Sequence, residues 1–73
     1  TFDLPHDAAV SLDVFDVTGR LVRTLAREDL GAGTHAIAWD GADNRGDRVA
    51  AGVYLYRLRA GSFEATRRIV VGR

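Results

Sequence analysis

Trp39-Asp-Gly-Ala-Asp-Asn-Arg-Gly-Asp-Arg-Val-Ala-Ala-Gly-Val-Tyr-Leu-Tyr-Arg-Leu58 reads as the end of one strand, a long polar loop and a second strand. Asp40-Gly41 and Asn44-Arg45-Gly46 supply residue types that tolerate positive φ in tight turns. Gly52 breaks the chain once more. From Val53 to Ala60 the residues Tyr54, Tyr56 and Leu58 then alternate with Val53, Leu55 and Arg57. That period of two belongs to a strand with two different faces.

Working upstream, His35, Ile37 and Trp39 share one face and Ala36 and Ala38 the other, which predicts a strand over His35 to Trp39. Ala9 to Asp16 alternates too, with Val10, Leu12 and Val14 opposite Ser11 and Asp13. Phe2 to Leu4 is a short strand stopped by Pro5, and Asp16 to Arg20 is a hairpin turn. Leu21 to Leu25 is the next strand, extendable by Ala26. Arg27-Glu28-Asp29 is expected as a charged surface segment before the Gly31-Ala32-Gly33 loop. A helix over Leu25 to Leu30 would be too short to stand alone. Downstream, Gly61-Ser62 is a two-residue, Gly-first hairpin turn, and Phe63 to Val71 is the last strand. About seven short strands with turns between them predict an all-β sandwich. Val10, Leu12, Val14, Trp39, Tyr54 and Leu58 are its expected core.

The chain has 73 residues and no Cys, so residues 1–73 form one domain without a disulfide staple. Net charge is zero, which removes the electrostatic footprint of a nucleic-acid binder. No apolar run is long enough to span a membrane. All ten basic residues are Arg. Arg suits planar, bidentate contacts, and a GC-rich genome gives the same bias. The opening Thr1-Phe2-Asp3-Leu4-Pro5 is no signal peptide and starts abruptly on a strand. The expectation is a piece of a larger exported protein.

Few residues invite chemistry. Trp39, the only Trp, is read as core rather than as a sugar-stacking platform. Asp40, Asp43, Asn44 and Asp47 crowd one loop, but their order does not match the EF-hand and no Glu follows at the twelfth position. Asx turns explain them, so no metal and no cofactor is expected. Arg45-Gly46-Asp47 spells an integrin-recognition tripeptide, which chance explains in a chain rich in all three types. His6 and His35 lack partners at metal spacing, and His35 is read as a structural core His. No Ser sits in a nucleophile elbow, and so small a chain has little room for a cleft. A non-enzyme is expected.

Three blocks carry a family resemblance: Val10 to Leu25, Gly31 to Gly41, and Ala51 to Leu58. Together they resemble the type A C-terminal sorting domain of type IX secretion substrates. They also resemble the related immunoglobulin-like domain of the flagellar hook-capping protein. The resemblance implies a seven-stranded immunoglobulin-like β-sandwich at the C-terminus of an exported protein. It implies reading by outer-membrane secretion machinery, then cleavage or attachment at the cell surface, reached through the periplasm. Phe2-Asp3-Leu4-Pro5 looks like the family's second block; the first, an Asn-Pro-rich strand, is missing. Arg67-Arg68-Ile69-Val70-Val71 fits the family's closing pattern, and Gly72-Arg73 then looks like a natural C-terminus. On the sorting reading, Arg67, Arg68, Ile69, Val70 and Val71, with Arg57 and Arg59 beside them, form the surface that is read. Such Arg residues would pair with acidic receptor groups or with anionic surface lipopolysaccharide; alternatively they only solubilise a sheet edge. The domain is expected to be monomeric. The other function class is a structural or carbohydrate-binding accessory module, including a hook-cap-like assembly domain.

Overall fold

A computed structural model describes residues 1–72; Arg73, part of the expected C-terminal pattern, lies outside the described residues. Six strands follow one another: β1 (Phe2–Leu4), β2 (Ala8–Asp16), β3 (Leu21–Leu30), β4 (Gly33–His35), β5 (Gly52–Ala60) and β6 (Phe63–Val71). The first difference from the sequence reading is therefore six strands instead of seven. They form a four-stranded antiparallel sheet, ordered β3-β2-β5-β6, and a two-stranded sheet pairing β1 with β4. This all-β arrangement is consistent with an immunoglobulin-like sandwich.

The inner face of the large sheet follows from alternation. Val10 pairs with Ala60, Leu12 with Leu58, and Val14 with Tyr56. Leu4 of β1 closes over them, and Val10, Leu12, Ala26, Leu58, Ala60 and Leu4 form one buried cluster. Val14 is only 1% exposed. Burying each Val or Leu of this kind is worth roughly 1.5–3 kcal/mol. Tyr54 is also buried.

Two elements depart from expectation, each for a reason of pairing. β3 runs on to Leu30, so Arg27-Glu28-Asp29 is charged and exposed as expected, but it is paired strand and not a loop approach. The ladder holds there because Ser11 pairs with Arg27 and Ala9 with Asp29, and Arg27 Nη2 stands 3.6 Å from Asp13 Oδ1. Register shifts between Leu12 and Asp13 and between Val14 and Phe15 adjust the alternation of the two strands. Conversely, the strand expected over His35 to Trp39 stops at His35. β1 offers three partners, the last being Phe2 for His35, and the ladder ends with them. Ile37 still packs against the core without backbone pairing.

The turns match their residues. Gly61 has φ 60° and the next residue, Ser62, has negative φ, the pattern of a type II′ hairpin. At Asp16 to Arg20, Gly19 takes φ 88° after a turn closed by Gly19 N–H to Asp16 O at 3.0 Å.

Candidate functional site

The long segment between β4 and β5 is where the polar side chains converge. Two of its Asp side chains, Asp40 and Asp43, are occupied by the backbone. Asp40 Oδ1 accepts from Ala42 N–H at 3.0 Å. Asp43 Oδ1 accepts from Arg45 N–H at 2.9 Å and from Asp47 N–H at 3.0 Å. The Asp16 turn is built the same way: its Oδ1 accepts from the N–H groups of Thr18 and Arg20, each at 3.0 Å. One turn design, Asp-x-x-Gly-x, thus serves at residues 16–20 and again at 43–47, with Gly46 at φ 90° as the counterpart of Gly19. Thr18 Oγ1 adds a bond at 2.6 Å, and this hydroxyl chiefly holds the Asp16 carboxyl below its ordinary pKa of 3.8. Among the described residues, no three metal-ligating side chains are grouped to hold an ion.

Arg23, which the sequence reading passed over, fastens this segment to the large sheet. Its Nη1 donates to Ala42 O at 3.1 Å and to Asp43 O at 3.3 Å, and reaches Asp40 Oδ1 at 3.4 Å. Asn44 extends the attachment: its N–H donates to Val22 O, and its Oδ1 accepts from Thr24 N–H, both at 3.0 Å. The missed signal was positional. Arg23 stands opposite the buried Val14, and nothing local shows that loop carbonyls will arrive there.

Trp39 is half-buried, not fully enclosed. Its Nε1 donates to Ala42 O at 2.9 Å, and its ring meets Tyr54 edge-on with centroids 5.5 Å apart. Tyr54 OH donates to Ala50 O at 2.7 Å, four residues upstream. A Tyr hydroxyl reaching back to the preceding backbone is the tyrosine corner of immunoglobulin-type sandwiches. His35 Nε2 donates to Gly31 O at 2.7 Å, and its ring packs against Phe2. Arg45, Gly46 and Asp47 are exposed at the loop tip, where Gly46 and Asp47 also serve the turn.

The residues expected to form a receptor surface lie on β6, but alternation divides them. Arg67, Ile69 and Val71 share the inner face with Tyr56, Tyr54 and Gly52, their ladder partners. Arg68 and Val70 stand on the outer face with Arg57 and Arg59. The structure therefore brings Arg57, Arg59 and Arg68 to one side and leaves Arg67 on the other. Arg59 Nε is paired with Glu64 Oε1 at 3.1 Å. Arg57 lies over the Phe15 ring at 4.9 Å, beside the buried Asp13. On the inner side, a groove of about 370 Å³ runs between β1 and β6, bordered by Phe2, Leu25, Trp39, Phe63 and Arg67.

Against this frame, comparison with protein families matches residues 1–63 to the FlgD Ig-like domain. The chain belongs to that family. The FlgD Ig-like match takes in β1 to β5 and ends on Phe63, the first residue of β6. It supports the relation to the hook-capping protein's domain; a relation to type IX sorting domains is not what it reports. Comparison with curated proteins gives no match.

Proposed function

We propose that the chain is a non-catalytic structural module for extracellular assembly, of the kind the hook-capping protein uses at the flagellar hook. The observation behind this reading is the FlgD Ig-like match over residues 1–63. The architecture suits such work. Asx turns, Arg23 and Tyr54 tie the connections down, and what remains to present is a stiff outer sheet face. Trp39 is engaged with Ala42 and Tyr54, which favours assembly over sugar stacking. An exported position belongs to the same proposal.

The test is in-frame removal of these residues from the parent protein in its source cell. Assembly of the surface polymer should fail while the parent protein is still exported. Normal polymer with the parent protein held in the periplasm would overturn the proposal and favour sorting instead.

A further inference from the structure

We infer that the domain self-associates through the free edge of β6, forming a two-fold dimer with one continuous antiparallel sheet. This inference stands apart from the assembly reading, and it departs from the monomer expected from sequence. β6 ends the order β3-β2-β5-β6, so one of its edges has no partner among the described residues. The turn determines which residues present that edge. Gly61-Ser62 is a two-residue loop, so Ala60 and Phe63 form its closing hydrogen-bonded pair. Alternation then points the N–H and C=O groups of Phe63, Ala65, Arg67 and Ile69 at β5. Those of Glu64, Thr66, Arg68 and Val70 point outward.

A two-fold axis through Thr66 makes this edge complementary to itself. Thr66 then faces Thr66 of the second copy, and both Thr66 and its neighbours at 64 and 68 have their backbone groups aimed across the junction. Glu64 of each copy faces Arg68 of the other on the outer side. Phe63, which is 58% exposed, faces Ile69 on the inner side. Arg67 meets Ala65, whose small side chain leaves the guanidinium a way to water. Other registers lose this match. An axis through Arg67 or Arg68 sets guanidinium against guanidinium, an axis through Glu64 sets carboxylate against carboxylate, and one through Ala65 leaves Arg68 opposite Ser62. Like charges directly opposite oppose pairing and unlike charges favour it. Glu64 already accepts from Arg59, so in the dimer each carboxylate lies between two cations on the outer face. The two Arg67 side chains are diagonal neighbours, a repulsion that limits affinity. An isologous contact of this kind closes at two copies and adds no further strand. The opposing view is that the β6 Arg residues only keep the edge unpaired.

Sedimentation velocity over a concentration series of the chain decides between them. The parent should show a reversible monomer–dimer equilibrium. Glu64→Arg and Arg68→Glu should each weaken dimerisation about tenfold, since each acts at both symmetry-related sites. Both changes in one chain should restore the dimer, and mixing the two single variants should give a heterodimer. Thr66→Pro should abolish association without lowering the melting temperature much, because that N–H faces away from β5. A parent that stays monomeric throughout would overturn the inference. So would a dimer indifferent to the single reversals, or one the double reversal does not restore.

Discussion

Arg23 and Asp16 show how single side chains set the shape of a loop. Arg23 uses one nitrogen for two loop carbonyls and an edge of Asp40. Hydrogen bonds from a charged donor are worth more than neutral ones, and this guanidinium is only partly exposed. Arg23→Ala should therefore lower stability by about 1.5–3 kcal/mol in urea unfolding, and Arg23→Lys should recover only part of that. An unchanged midpoint for Arg23→Ala would mean that Asn44 alone holds the segment. Asp16 makes a prediction in pH. Its folded pKa is depressed, first by the Thr18 hydroxyl and then by the Arg20 N–H. A depressed carboxyl contributes stability that is present above the unfolded value near 3.8 and is lost as pH falls through the folded one. Parent and Asp16→Asn should thus differ near neutrality and converge as the pH drops below about 4. Melting curves that stay parallel down that range would refute the assignment.

At the level of elements, the repeated Asp-x-x-Gly-x turn is the unit that carries most meaning. Gly46 at φ 90° occupies the left-handed region, where a Cβ is strained even with open space around it. Gly46→Ala should destabilise by about 1–2 kcal/mol, and Gly19→Ala similarly, as read from thermal melts. A stabilised Gly46→Ala variant would show that the loop relaxes into another turn. These turns were legible in the sequence because Asp and Gly act locally. So were β2, β5 and β6, each bounded by turn residues and rich in strand-forming types, with clean apolar–polar alternation over Val10 to Val14. The far half of β3 was not, since Arg27-Glu28-Asp29 is a solvated run with no buried face to mark it as strand, and only pairing with Ser11 and Ala9 makes it one. The strand expected at His35 to Trp39 failed for the complementary reason. Its alternation was real, but a strand also needs a neighbour, and β1 supplies only three residues. The split of Arg67 from Arg68 was implicit in the period of two. Reading the two Arg residues as one patch overlooked it.

For the whole molecule, the sheet order implies a sequence of events during folding. The β2–β3 and β5–β6 pairs are hairpins with short turns, while β2 and β5, at the centre of the sheet, are far apart in the chain. Hairpins form in about 1–10 μs. Joining them must close the chain between Leu30 and Gly52, and that entropy is lost before the Leu12–Leu58 contact repays it. The barrier should accordingly be the docking of two preformed hairpins. Leu12→Ala, costing about 2–5 kcal/mol in the core, should slow refolding in stopped-flow measurements. Leu4→Ala, on the late-arriving β1, should chiefly speed unfolding. If the two variants shift the same limb of the chevron, the small sheet forms together with the large one. The polar segment from residue 36 to 51 then acquires a kinetic role. Arg23 and Asn44 anchor it to β3, within the first hairpin, so the connection that must close is already shortened before β5 arrives.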